Sequence, residues 1–243
     1  MNAPASKTAI LFCHGILGHP RHFDFLLPEV PGDWTVCNLL LPGHGGSVKD
    51  FGQSSLEQWT DCYRAALDRL LETHDRVFLC GHSMGTLFAL QAAASRGTIC
   101  GLFLLAVPMG AAPRPISLWN CLKYALGLIR EDDERAMALK HAASIPPEIK
   151  LWRYIPWIPR FLELFRLIHS TKKMLPQVKL PGLAFQSAHD ELVSHKAPQR
   201  LAAAPGLQVE ILPDSYHFYL TDKDRETVIK AFRHWIAHHE FNS

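Results

Sequence analysis

The sequence lacks several patterns that mark well-known classes of protein. Although 48% of its 243 residues are hydrophobic, no uninterrupted apolar run approaches the roughly 20 residues that a membrane-spanning helix needs. The first residues contain no basic stretch followed by an apolar run and a cleavage site, so we expect neither a signal peptide nor an anchor. These absences favour a compact cytoplasmic protein whose single domain has a large core.

Cysteine and histidine are present, but not at the spacing of metal sites. The six cysteines form no CxxC pair, and Cys13, Cys37, Cys80 and Cys100 lie in or beside apolar runs, which favours reduced core thiols. Among the 14 histidines, two close pairs lack a third ligand at metal spacing. A net charge of only +2, without a recognisable nucleic-acid module, also argues against nucleic-acid binding. We therefore expect no bound metal and no nucleic-acid partner.

Apolar runs alternate with helical patterns along most of the chain. The runs that predict strands are 8–13, 34–41, 76–81, 99–107, 181–187 and 207–212. The segments with helical periodicity are 56–73, 86–95, 196–204 and 225–238. Continuous apolar strands that alternate with helices predict an α/β fold, with a mostly parallel six-stranded sheet and helices on both faces.

One long interval interrupts this alternation. Residues 110–178 are rich in proline and have helical patterns, so we interpret them as an inserted helical cap, or lid, on a core formed by residues 1–109 and 179–243. Aromatic residues at helical spacing belong to the core more often than to a ligand wall, but some should line a pocket. The residues that we consider for substrate binding are Trp119, Trp152, Trp157 and Phe161.

The predicted cap is more basic than the rest of the chain. Residues 110–178 contain 11 Lys or Arg against 6 Asp or Glu, a balance of +5, which leaves about −3 for the remainder of the +2 chain. An ordinary solvated helical face would explain this excess. Attraction of an anionic substrate, or weak contact with a lipid surface, is the functional alternative.

The pentapeptide Gly81-His82-Ser83-Met84-Gly85 stands between a predicted strand and a predicted helix. In a G-x-S-x-G turn the glycines leave room for a sharp, strained turn that raises the serine hydroxyl above the sheet. A serine between glycines also arises by chance in turns, but the flanking strand and helix favour the functional interpretation. Ser83 is therefore the candidate nucleophile.

A serine nucleophile needs a base and an acid that orients the base. Asp190 follows the fifth predicted strand and His217 the sixth, so both should lie at the carboxyl edge of the sheet with Ser83. The order serine, acid, histidine is that of the α/β-hydrolase arrangement. Other residues remain open for these roles. The alternative bases are His14, His44, His82 and His189, and the alternative acids are Glu191 and Asp214.

Donors for a developing oxyanion should come from two backbone amides, one after the serine and one in the loop after the first strand. These are the amides of Met84 and Ile16. The loop begins with His14-Gly15, and glycine at this position lets the backbone approach the substrate closely, so both residues are also candidates for substrate binding. A simple turn is the alternative interpretation.

The motifs together resemble the α/β-hydrolase superfamily, in its carboxylesterase and monoacylglycerol-lipase branch. The resemblance covers most of the chain and includes residues 14–18, Leu41-Pro42-Gly43-His44-Gly45-Gly46-Ser47 and the three loops described above. It implies a Ser-Asp-His triad, an acyl-enzyme, no cofactor and ester substrates whose acyl chains lie beneath the cap. Thr86 replaces a glycine common in relatives. The match starts at what is usually the third strand of the family, so we expect its first two strands to be absent, which leaves the sheet edge and the oligomeric state open.

The resulting hypothesis is a serine hydrolase for small-molecule carboxylic esters with short to medium acyl chains, including monoacylglycerols. Thioester hydrolysis and carbon-carbon bond hydrolysis could use the same residues, and a haloperoxidase-like activity is a weaker alternative. A ligand receptor with the hydrolase fold is the alternative without catalysis.

Overall fold

A computed structural model describes residues 7–110, 123 and 128–241, without the side chains of residues 239–241. Its strands are β1 Thr8–Cys13, β2 Thr35–Leu39, β3 Arg76–His82, β4 Ile99–Leu105, β5 Gly182–Ser187 and β6 Leu207–Leu212. The α-helices of the described residues, numbered here in chain order, are α1 Val48–Gln53, α2 Leu56–Thr73, α3 Met84–Ser95, α4 Glu134–Ala142, α5 Trp157–Met174, α6 Ala197–Leu201 and α7 Asp222–Phe241. Short 3-10 helices cover Pro20–Phe23, Leu27–Glu29, Leu151–Tyr154 and Leu175–Gln177.

The strands form one sheet in the order β2-β1-β3-β4-β5-β6, and every neighbouring pair is parallel. The predicted six-stranded sheet is thus confirmed, and it is wholly parallel where mostly parallel pairing was expected. The chain passes from β1 outward to β2 and then returns to β3 on the other side of β1. In open parallel sheets, such a reversal creates a crevice at the carboxyl ends of the two strands that flank it, here β1 and β3.

Alternate side chains of β1 enter two different cores. Ala9, Leu11 and Cys13 pack with residues of α2, α3 and α5, whereas Ile10 and Phe12 pack with residues of α7 on the opposite face. This arrangement explains why the strands have continuous apolar runs, since both faces of the sheet are covered. Helices on both faces were predicted and are confirmed.

Several element boundaries differ from the prediction for local reasons. β2 ends at Leu39, two residues early, because its neighbour β1 ends opposite it at Cys13. β4 ends at Leu105 because Ala106 has a φ of 53°, which cannot continue a strand. The helix α1 was not predicted at all. Its capping box, in which Ser47 and Asp50 bond each other's backbone N–H groups, explains how so short a helix forms.

The interval predicted as an inserted cap contains α4, α5 and the 3-10 helices Leu151–Tyr154 and Leu175–Gln177 among its described residues. It leaves the sheet at the carboxyl end of β4, the edge at which Ser83 follows β3. Within the described part of the chain, no helix is both long and apolar enough to cross a bilayer.

Candidate active site

Ser83 occupies a strained turn between β3 and α3, with φ 50° and ψ −120°. Glycine is required two residues before and two residues after Ser83, because neither position has room for a side chain. A Cβ on Gly85 would lie 1.9 Å from the carbonyl oxygen of Cys13, and one on Gly81 would lie 2.7 Å from the nitrogen of Thr86. No side chain fits at either position without moving β1 or α3.

Backbone strain concentrates at one edge of the sheet. Among the described residues, the non-glycine residues with positive φ are Leu17, Ser83 and Ala106. They follow the carboxyl ends of β1, β3 and β4 respectively. Conformations of this kind cost free energy and persist where the surrounding structure enforces them, commonly at functional sites. The strain therefore identifies the same crevice as the strand order.

The structure brings Ser83, His217 and Asp190 together in one hydrogen-bonded line. Nε2 of His217 lies 3.2 Å from Oγ of Ser83, and Nδ1 lies 2.8 Å from Oδ2 of Asp190. The second carboxylate oxygen, Oδ1, accepts the backbone N–H groups of Leu192 and Val193, each at 2.8 Å. The Asp190 carboxylate thus accepts three hydrogen bonds, and both of its oxygens are engaged at a buried site.

Electrostatics favour an ionised Asp190 beside an easily protonated His217. Burial alone would raise the pKa of Asp190, but the neighbouring His217 and the two backbone N–H donors lower that pKa below its usual value. Burial alone would lower the pKa of His217, and the Asp190 carboxylate reverses this and raises it. The imidazole can therefore accept a proton from the serine hydroxyl while the carboxylate stabilises the resulting charge.

The alternative acids and two of the alternative bases have other contacts. His82 lies under His217 with Nε2 3.1 Å from the His217 carbonyl oxygen, and His189 stacks on Tyr216. Glu191 accepts the backbone N–H of His217 at 3.1 Å, and the side chain of Asp214 is exposed. None of these contacts reaches Nδ1 of His217 or Oγ of Ser83.

The loop after β1 lies directly against the serine. A Cβ on Gly15 would be 2.8 Å from Cβ of Ser83, so only glycine allows this approach. Gly15 and Gly18 close a turn through an N–H···O bond of 3.0 Å, and Ile16 lies within that turn. Met84 is the first residue of α3, where a backbone N–H has no acceptor within the helix. The two predicted amide donors thus belong to the two segments that meet at Ser83.

Two histidines fasten this loop to the one after β2 through a crossed pair of hydrogen bonds, called here the histidine clasp. Nε2 of His14 accepts the backbone N–H of Leu41 at 3.1 Å, and Nε2 of His44 accepts that of Leu17 at 3.2 Å. Because these nitrogens accept, the ring protons are on Nδ1, which donate to the carbonyl oxygens of Gly15 and Pro42. Both rings are buried.

Burial makes the clasp histidines poor bases. It lowers the pKa of His14, with a further contribution from His44, to about 3. It lowers the pKa of His44 to about 4. Both rings are neutral near pH 7, as their role as acceptors requires. His14, which was expected among the substrate-binding residues, has both ring nitrogens occupied by backbone groups.

The aromatic residues considered for substrate binding have different environments. Trp157 is half-buried and donates Nε1–H to the carbonyl oxygen of Val48 at 2.8 Å, which ties α5 to α1. Phe161 is half-buried, whereas Trp152 is 65% exposed. Trp119 lies outside the described residues.

Other contacts at the site were not anticipated from the sequence. Thr86 donates Oγ1–H to the carbonyl oxygen of Ser83 at 2.6 Å, so the residue that replaces a glycine braces the strained turn. Ser144 donates both its backbone N–H, at 2.9 Å, and its hydroxyl, at 3.1 Å, to the carbonyl oxygen of Leu17. Ser144 is 127 residues from Leu17 in the chain, and no local motif indicates this contact.

Comparison with known proteins identifies the family of the chain. The model of the alpha/beta hydrolase family matches residues 10–231. A thermostable monoacylglycerol lipase from Bacillus sp. is 27% identical over 98% of this chain and 93% of its own length. A pimeloyl-[acyl-carrier protein] methyl ester esterase from Stenotrophomonas maltophilia is 29% identical over 94% of this chain and 92% of its own.

Solved structures show the same fold at lower identity. A structure from the study of the metagenome-derived lipolytic enzymes LipS and LipT superposes with a TM-score of 0.75 at 22% identity, over 96% of this chain and 94% of the other. The monoacylglycerol lipase of Paleococcus ferrophilus gives 0.68 at 18% identity, over 95% and 94% of the two chains. The family model spans most of the sequence and the topology agrees, so the chain belongs to the alpha/beta hydrolase family.

Proposed function

We propose that the protein is a serine hydrolase that cleaves carboxylic esters through an acyl-enzyme intermediate. The observation that carries the proposal is the line of hydrogen bonds from Asp190 through His217 to Ser83, with the serine held on a strained turn at the start of α3. This arrangement has the three parts that acyl transfer needs: a nucleophile, a base and a group that orients the base.

In the proposed reaction, Ser83 Oγ attacks the ester carbonyl carbon while Nε2 of His217 takes the hydroxyl proton. The negative charge that develops on the carbonyl oxygen is stabilised by the backbone N–H groups of Ile16 and Met84. His217 then returns the proton to the leaving alcohol as the carbon-oxygen bond breaks. Water, deprotonated by His217, attacks the acyl-enzyme in the same way and releases the acid and Ser83.

The proposed substrates have short to medium acyl chains and include monoacylglycerols. Ester hydrolysis is supported by the lipase and methyl esterase among the relatives, although a shared fold does not itself determine the substrate. We propose that residues 110–178 form a cap over the site. Trp157 and Phe161 belong to α5, which is part of this cap, and both are half-buried. They are the members of the predicted substrate-binding set that fit a role in contacting an acyl chain.

The test is burst kinetics with p-nitrophenyl esters of increasing acyl length, together with phosphonate labelling mapped by mass spectrometry. We expect a burst, a label on Ser83 and an optimum chain length. Ser83→Ala should lose the label and lower kcat by a factor of about 10⁴ or more. Ser95→Ala, at the far end of the same helix, is the matched control and should retain activity.

Two outcomes would redirect the proposal. A label on Ser83 without ester turnover would keep the nucleophile and point to thioesters, carbon-carbon bonds or a receptor role. Full esterase activity in Ser83→Ala would exclude Ser83 as the nucleophile and with it the proposed mechanism.

A further inference from the structure

The helix α5 is apolar on two sides, of which the protein covers one. Leu167, Ile168 and Thr171 are buried against the core. At about 100° per residue, Ile158 and Leu162 lie on the opposite side of the helix, and both are exposed. An exposed helix normally has polar residues on its outer face, so this second apolar side requires an explanation.

The exposed side continues beyond the helix into the preceding residues. Large apolar side chains with exposures between 47% and 82% form what we call the outer stripe: Ile149, Leu151, Trp152, Ile155, Ile158, Leu162 and Phe165. Single exposed apolar residues are common, but a run of seven within 17 positions is typical of an interaction surface.

The helix α5, which contains three of the stripe residues, is anchored to the rest of the protein. Besides the bond from Trp157 to Val48, Arg160 donates to the carbonyl oxygen of Gly52 at 3.3 Å, and Glu163 accepts the backbone N–H of Leu56 at 3.1 Å. These contacts fix the inner side of α5 to α1 and to the start of α2. The part of the outer stripe that lies on α5, Ile158, Leu162 and Phe165, is therefore presented to solvent by an anchored helix.

The charges around the stripe are positive. Residues 148–174 contain six Lys or Arg against two Glu, and both glutamates are held in ion pairs, Glu148 with Arg153 and Glu163 with Arg160. The excess of four cations consists of Lys150, Arg166, Lys172 and Lys173. An apolar stripe bordered by cations complements a lipid surface with anionic headgroups.

We propose that the outer stripe docks the protein onto an anionic lipid surface, with the apolar side chains entering the headgroup region and the flanking cations meeting the phosphates. A second copy of the chain is a poorer occupant, because a two-fold contact through this face would bring like charges together. This docking role rests on the proposed function. It implies that the ester substrates of the protein reside in lipid aggregates.

The test is co-sedimentation with phosphatidylcholine vesicles, with and without phosphatidylglycerol, on the Ser83→Ala protein so that binding is measured independently of turnover. We expect binding that increases with phosphatidylglycerol and weakens with salt. The triple variant Ile155→Ser, Leu162→Ser, Phe165→Ser should lose about tenfold or more in partitioning. Lys150→Gln with Arg166→Gln should reduce the dependence on phosphatidylglycerol.

The matched control is Val36→Ser with Ile211→Ser, which removes exposed apolar side chains from the sheet at 43% and 51% exposure and should bind vesicles like the parent. In the active protein, the triple variant should keep its turnover of a dissolved short-chain ester and lose turnover of vesicle-borne ester. Equal vesicle binding by the triple variant and its parent would overturn the proposal. A second outcome would also overturn it: the parent forms a dimer in sedimentation experiments, the triple variant is a monomer, and neither protein binds vesicles.

Discussion

At the scale of single residues, the neutral imidazoles of the histidine clasp govern the geometry of the loop that contains Ile16. Leu17 has a φ of 59°, a conformation that costs a leucine free energy. Its N–H is held by His44 and its carbonyl oxygen by Ser144. We therefore expect the direction of the neighbouring amide of Ile16 to depend on His44 and Ser144, which form no hydrogen bond with Ser83.

Replacing His44 should test this positioning role. In His44→Gln the side-chain amide oxygen can stand where Nε2 stands and still accept the N–H of Leu17, whereas His44→Phe keeps a ring and removes the acceptor. We expect His44→Phe to lower kcat by about tenfold or more, with a smaller change in KM. His44→Gln should retain most of the parent kcat. Steady-state kinetics with one p-nitrophenyl ester measures both. Equal losses in the two variants would indicate a packing role alone.

Asp190 should determine where activity falls in acid. The pKa of His217 is raised from its usual 6.5 by Asp190, against the opposing effect of burial. Because His217, the proposed base, can accept a proton only when neutral, kcat/KM should rise with pH through a midpoint above 6.5.

The variant Asp190→Asn removes the carboxylate charge, so we expect the midpoint of the pH profile to move to lower pH and kcat to fall by about 10³ to 10⁴. Phosphonate labelling rates across pH give the same midpoint when turnover is too slow. Asp214→Asn, with an exposed side chain, is the control and should keep the parent profile. An unmoved midpoint in Asp190→Asn would exclude Asp190 as the partner of His217.

At the scale of elements, one partly buried ion pair contributes to the attachment of α5 to α1 and α2. Arg160 and Glu163 have side chains 13% and 17% exposed, with Nη2 of Arg160 2.8 Å from Oε1 of Glu163. Because Oε2 also accepts the N–H of Leu56, this carboxylate connects two helices. Its charge stabilises both donors at once.

Removing that charge should destabilise the protein measurably. Glu163→Gln leaves Arg160 as a poorly compensated cation, and we expect the free energy of unfolding in urea to fall by about 1–3 kcal/mol. The control Glu226→Gln breaks an exposed pair with Lys230 and should cost less than about 1 kcal/mol. Similar losses in both variants would show that the inner pair contributes no more than a surface pair.

The elements that could be predicted are those whose signal is local. Each of Ser83, Asp190 and His217 lies within five residues of the end of a strand, and parallel strands bring such positions to one edge of a sheet. The clasp could not be predicted, because His14 and Leu41 are 27 residues apart and meet only through the pairing of β1 with β2. Periodicity also could not distinguish the inner from the outer side of α5, since both are apolar.

At the scale of the whole molecule, the buried histidines couple stability to pH. In the unfolded chain His14 and His44 would have a pKa near 6.5, whereas in the folded protein burial lowers these to about 3 and about 4. Below pH 6.5 the unfolded chain therefore binds protons that the folded protein cannot bind, so acidification favours unfolding. The raised pKa of His217 acts in the opposite direction.

We expect the free energy of unfolding to decrease from pH 6.5 toward pH 4, by about 2 kcal/mol per clasp histidine at pH 5. Urea titrations at pH 7 and pH 5 measure the change. His44→Gln, which cannot take up a proton, should show the smaller decrease. A decrease of the same size in this variant would assign the effect to other groups.

The distance along the chain between the partners of the serine hydrogen bond also bears on how the protein folds. Ser83 and His217 are separated by 134 residues. Between them in the chain, β4 and β5 pair although the connection from Leu105 to Gly182 separates them. Closing loops of this length is entropically costly, so we expect this contact to form late in folding. During synthesis, Ser83 emerges 134 residues before His217, so the hydrogen bond between them can form only after most of the chain has been made.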